Sequence, residues 1–117
     1  MDLYAIVRPE HLNHFGYLFG GALLKWVDEF AWIAASNDFP TCHLVTIGFS
    51  EVKFKQRVLN GSVLRFSVNK MRKGRSSATY AVDVFARESE AEHETAVFQT
   101  SVTFVRVDEN GCKMALP

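Results

Sequence analysis

Two features of this chain could do chemistry, and they stand seven residues apart. Asp28 lies in the middle of NHFGYLFGGALLKWVDEFAWIAASN, Asn13 to Asn37, a segment apolar on nearly every side. An acid inside a buried helix is costly unless something pairs or uses it. A carboxylate so placed suits acid–base or nucleophilic work. Gly20 and Gly21 open the helical part, and no Ser, Thr or Asp occupies the cap position. The first backbone N–H groups therefore have no side chain to cover them. Bare N–H groups at the positive end of a helix can stabilise an oxyanion, although paired glycines serve a tight turn equally well. The presence of Asp28 on the same helix favours the oxyanion reading.

The apolar residues of this segment recur at three- and four-residue spacing without a proline, which predicts a helix of about four turns. Asn37 and Pro40 in NDFPT predict its end. Leu23, Trp26, Val27, Phe30, Ile33 and Ala34 are the expected core face. At about 100° per residue Asp28 shares a stripe with Gly21, Leu24, Ala31, Trp32 and Ala35, which predicts a face set against a second copy of the chain. From His43 the period changes to two. One long strand with a bulge near Ser50 is expected, followed by a turn at LNGS and alternation of Leu64, Phe66 and Val68. A second turn at RKGR precedes the alternation of Ala78, Tyr80, Val82 and Val84. The run TAVFQTSVTFVRV is apolar on both faces and suits a central strand, while YAIVR adds a short N-terminal one. The predicted fold class is α+β, a single domain over residues 1–117 with a curled antiparallel sheet wrapped around one long central helix.

Thirteen basic and thirteen acidic side chains cancel, which removes the basic excess that nucleic acid binding draws on. Cys42 and Cys112 have no metal-ligand spacing and read as free thiols. Lys25, Asp28 and Glu29 interrupt the one candidate for a membrane span, and MDLYAIVRPE lacks the pattern of a signal peptide, so the expected location is the cytoplasm and no membrane partner is expected.

The ordered set Asn13, Gly16, Phe19, Gly20, Gly21, Asp28, Thr46, Phe54, Gly61 and Gly74 with Ser76 and Ser77 resembles the hotdog-fold acyl-CoA thioesterases, specifically the short-chain bacterial acyl-CoA hydrolase type. The resemblance runs from about Val7 to Val105 and is most specific between Asn13 and Asp28. Arg57 stands where this group often has proline, and Ser62 where it often has aspartate.

The resemblance implies hydrolysis of acyl-CoA to a free acid and CoA, with CoA as part of the substrate and neither cofactor nor metal required. It implies a dimer in which two sheets continue into one and the long helices run antiparallel, assembling further into a tetramer or hexamer. Because Gly21 and Asp28 are separated by about 10 Å along one helix, at roughly 1.5 Å per residue, one thioester carbonyl cannot touch both within one chain. A composite site from two chains is therefore expected. Gly20 and Gly21 would hold the carbonyl, Asn13 would donate to it or hold the water, and Asp28 of the other chain would act as general base or as nucleophile. Thr46, carried over from a Ser/Thr position of the family, would orient the water. For the CoA nucleotide the candidates are Arg57 and the turn Arg72, Lys73, Gly74, Arg75, Ser76 and Ser77. Two rival readings are a hotdog dehydratase or hydratase using His14 with Asp28, and a non-catalytic acyl-CoA binder.

Overall fold

The alternating runs of the sequence become the long strands of one sheet. The computed structural model describes residues 1–117: β1 (Asp2–Ile6), a short 3-10 turn (Pro9–His11), α1 (Gly20–Asp38), β2 (Leu44–Phe49), β3 (Lys53–Phe54), β4 (Val63–Lys73), β5 (Ser77–Arg87) and β6 (Thr95–Arg106). The strands pair antiparallel in the order β1-β4-β5-β6-β2, and β3 also pairs with β6. Strand β6 has neighbours on both sides, which is why its sequence is apolar on both phases: Val97 and Val105 are buried as well as Phe98, Val102 and Phe104. Strands β1 and β2 are the edges.

Helix α1 lies across one face of the sheet. Phe66 from β4 is fully buried beneath it, with edge-on contacts to Phe30 at 4.9 Å and Trp26 at 6.2 Å between ring centroids. Truncating such an aromatic side chain costs about 3–5 kcal/mol. At the far end of the helix the buried Tyr80 hydroxyl of β5 donates a 2.6 Å hydrogen bond to Asp38 Oδ2, and burial together with that carboxylate pushes the Tyr80 phenol up. One helix inside a curled antiparallel sheet is the hotdog arrangement that the resemblance implied.

Three details differ from expectation. On α1 the fully buried face is Leu23, Val27, Ala31, Ala34 and Ala35, with Trp26, Phe30 and Ile33 only half-buried. Small residues meet the sheet because they let the helix approach closely. Ala31 and Ala35 therefore do not belong to an outward stripe with Asp28; the open side carries Gly21, Lys25, Asp28, Glu29 and Trp32. Secondly, the bulge is at Ile47, where the register with β6 slips between Thr46 and Gly48, and a break after Phe49 separates β2 from β3. Thirdly, Asn37 lies inside the helix, whose cap is Phe39, donating its N–H to Ala35 O before Pro40 prevents continuation. No helix is long and apolar enough to cross a membrane.

Candidate active site

Asp28 is half-buried on the open side of α1 and faces β2. Edge strand β2 is held by β6, with Leu44 opposite Arg106 and Thr46 opposite Phe104. Alternate residues of a strand share a face, so Leu44 and Thr46 both turn toward the helix, the first into the core and the second onto Asp28. Thr46 Oγ1 donates a 2.6 Å hydrogen bond to Asp28 Oδ1, the length of a charge-assisted bond. One helical turn further on, Trp32 Nε1 donates to Leu44 O at 3.1 Å. Two clamps two residues apart on β2 thus fix this stretch of the helix. Beside them is an open cleft of about 310 Å³ lined by Lys25, Asp28, Glu29, Trp32 and Thr46. The i,i+4 pair Lys25 and Glu29 makes no ion pair, and neither does Asp28. Oδ2 of Asp28 has no protein partner, which leaves it free to accept a proton.

The second group of residues surrounds the helix start. Phe19 is the extended N-cap residue and its side chain caps nothing. Its N–H is given to His11 O at 2.8 Å, and its carbonyl accepts from Ala22 and Leu23. The N–H groups of Gly20 and Gly21 have no partner, at the end of the helix where the dipole is positive. A Cβ at Gly21 would stand 2.5 Å from the Phe19 ring, so any larger residue displaces that exposed ring. Just upstream, Asn13 Oδ1 accepts from the N–H groups of Phe15 at 2.9 Å and Tyr17 at 3.1 Å. The loop closes because Gly16 adopts φ +86°, a left-handed conformation that favours glycine. With its carbonyl so committed, Asn13 offers only the two donors of its amide nitrogen to anything else. The Arg57 guanidinium lies 4.6 Å from the Tyr17 ring centroid and edges a cavity of about 270 Å³ that also touches Gly20, Leu23 and Phe54.

Within one chain the structure joins Asp28 to Thr46, and places Asn13, Gly20, Gly21 and Arg57 around the helix start. It keeps the two groups apart along α1. The basic candidates are divided as well. Ser77 is opposite Val105, so the turn Arg72–Ser77 lies at the Thr46 end of the sheet. Arg57 follows Lys55, which bonds Val97 at the other end. Eight residues of β6 between these points correspond to about 26 Å. The turn itself is firmly held: Gly74 N–H donates to Ser77 O, Arg106 N–H to Ser76 O, and Leu116 N–H to Arg75 O. Arg72, Lys73 and Arg75 are exposed and have no acidic partner. Sequence reasoning placed Trp32 on the stripe of Asp28 and counted it with Phe15, Tyr17, Phe19 and Trp26 as a candidate pocket wall without ranking them; within one chain the structure sets Trp32 beside Asp28. The bond to Leu44 O had no signal in the sequence, because it depends on where β2 docks.

Residues 15–93 match the family model of the thioesterase superfamily, a span that includes Gly20, Gly21, Asp28, Thr46 and the basic turn. The chain belongs to the thioesterase superfamily. Among curated members, this superfamily chain is 30% identical over 105 residues to acyl-coenzyme A thioesterase 11 of Mus musculus, an alignment covering 90% of this chain and 18% of that protein. The chain thus spans under a fifth of that relative's length. Among solved superfamily structures it is similar to a hexameric hotdog-fold thioesterase of Campylobacter jejuni, with 29% identity, a TM-score of 0.86, and coverage of 98% of this chain and 88% of that one. It is also similar to an acyl-CoA hydrolase of Staphylococcus aureus in complex with butyryl coenzyme A, coenzyme A and coenzyme A disulfide. Identity there is 25%, the TM-score 0.89, and coverage 100% of this chain and 71% of that one.

Proposed function

We propose that this thioesterase-superfamily chain hydrolyses acyl-CoA thioesters, with Asp28 as the general base. The observation that carries the reading is the Asp28 carboxylate held by Thr46 at 2.6 Å, with one oxygen free, on the open side of a helix whose glycine start has two unpartnered N–H groups. Water in the Asp28 cavity gives a proton to the carboxylate as its oxygen attacks the acyl carbonyl. The carbonyl oxygen, gaining negative charge, is stabilised by the Gly20 and Gly21 N–H groups and the amide of Asn13. As the tetrahedral intermediate collapses the C–S bond breaks, the thiolate leaves and takes up the proton, and the acid is released. The chain's own groups supply each role, so neither cofactor nor metal enters the scheme.

The separation of about 10 Å between Gly21 and Asp28 along α1 supports a site shared by two chains. Antiparallel helices bring the glycine end of one beside Asp28 of the other, and two edge strands such as β2 can continue one sheet into the next. The solved relative from Campylobacter jejuni is hexameric, and assembly of such dimers into a hexamer is the corresponding proposal here. Unpaired Arg72, Lys73 and Arg75 with the hydroxyls of Ser76 and Ser77, and Arg57 at the other end, are suited to the phosphates of the CoA nucleotide. The cytoplasm, where acyl-CoA is made and used, is the proposed location.

The test is a free-thiol assay over a panel of acyl-CoAs. Release of CoA that requires Asp28 supports hydrolysis. Enoyl absorbance from a β-hydroxyacyl substrate without thiol release would instead establish a dehydratase, and tight binding without turnover a binder.

A further inference from the structure

Phe15, Tyr17, Phe19, Trp26 and Trp32 all qualify by sequence as walls of an acyl pocket, and the structure separates them. Trp26 is half-buried between His11 and Phe66, at 4.6 and 6.2 Å between centroids. Phe15 and Phe19 are exposed around the helix start, and Tyr17 lies against Arg57. Of the aromatics in one chain, Trp32 alone lines the cleft that contains that chain's Asp28 and Thr46, and it is the one apolar side chain that chain contributes there.

We propose that Trp32 determines acyl specificity by closing the apolar end of the Asp28 cavity, so that short aliphatic acyl groups are accepted and long ones are excluded. The proposal rests on the thioester-hydrolase reading. Three observations carry it. Trp32 follows Asp28 by four residues, about 6 Å along the same helix side, within reach of a substituent on a carbonyl attacked beside Asp28. Its position is braced, because the indole N–H is held by Leu44 O at 3.1 Å while Thr46, two residues on, holds Asp28. Swinging the indole away costs that hydrogen bond. Finally, the two ends of the cavity differ in chemistry. Lys25 edges it toward the helix start and Trp32 toward the helix end. The carbonyl has two substituents: the amide-bearing pantetheine arm matches the polar end, and the acyl chain matches the indole.

The experiment measures thiol release by the wild type, Trp32→Ala and Trp32→Phe over straight-chain acyl-CoAs from acetyl to lauroyl. For the wild type, kcat/KM is expected to fall about tenfold or more per methylene once the chain passes the wall. Trp32→Ala should move this cut-off to longer chains, with roughly a tenfold gain or more on the first substrate the wild type excludes. Trp32→Phe, which keeps most of the wall, should hold the cut-off within one methylene of the wild type. Circular dichroism and gel filtration establish that each variant folds and assembles. Should Trp32→Ala fail there, Trp32→Leu supplies the same comparison with a smaller shift. Identical chain-length profiles in the wild type and a folded small-residue variant overturn the proposal while leaving hydrolysis standing. So does a wild type whose kcat/KM keeps rising through lauroyl-CoA. A wild type that releases thiol from no member of the panel overturns the hydrolase reading itself, and this proposal with it.

Discussion

Thr46 Oγ1 gives its proton to Asp28 Oδ1 across the gap between β2 and α1, at 2.6 Å. That bond leaves Oδ2 as the Asp28 oxygen without a protein partner. With its proton committed to Asp28, the Thr46 hydroxyl can orient a water only as an acceptor. In the proposed reaction it would also hold the Asp28 carboxylate in place.

Asp28→Asn keeps the shape of the side chain and its contact with Thr46 but removes the base. Thiol release should fall by roughly 10²- to 10⁴-fold, with an unchanged circular dichroism spectrum. Turnover at the wild-type level in this variant would remove Asp28 from the mechanism.

Thr46→Val preserves the branched shape on β2 while deleting the bond to Asp28. A misheld base affects the transition state more than the bound substrate, so kcat should drop with little change in KM. If instead KM rises at constant kcat, Thr46 contacts substrate and does not position the base.

Sharing of sites is tested by complementation. Asp28→Asn and Asn13→Ala damage opposite halves of the proposed composite site, so each homodimer should be nearly inactive. In a mixed dimer one site collects both lesions and the other neither. Co-refolding equal amounts should restore about a quarter of wild-type activity if chains pair at random. Mixed dimers that recover nothing would show that Asn13 and Asp28 serve a site within one chain.

Acid sensitivity has an identifiable contributor away from the site. Arg65 Nε and Nη2 grip Glu94 at 2.9–3.1 Å, and these hydrogen bonds hold the Glu94 carboxyl below the usual carboxylate range against the opposing effect of burial. A depressed folded value means that the contribution to stability is present above the unfolded carboxyl value and disappears as pH falls through the folded one. The wild type should therefore be more stable than Glu94→Gln near pH 7, with the difference in urea midpoint shrinking on acidification toward pH 3. A difference that does not vary with pH would exclude the ion pair as its source.

The sequence by itself determined the element types and the chemical inventory. Period-two alternation in β4 and β5, two-faced apolarity in β6, and an uninterrupted helical pattern after Gly20 and Gly21 are local signals, because strand and helix geometry fix which residues share a face. Asp28 was singled out as an acid in a segment apolar on nearly every side; the structure sets it half-buried on the open side of the helix with Lys25, Glu29 and Trp32. What alternation could not locate was the bulge at Ile47, since a register slip is a property of two strands and its partner, β6, lies far along the chain. Helical phase likewise misassigned Ala31 and Ala35, because their small side chains are chosen by how closely α1 approaches the sheet. Only tertiary structure decided that Thr46 bonds the carboxylate, that Trp32 is pinned to Leu44 beside it, and that Arg57 lies at the opposite end of the sheet from Arg72 and Arg75. Each of these depends on how edge strand β2 docks against the helix or on how far apart two loops emerge, and distances between segments remote in sequence are set by packing, on which local periodicity is silent.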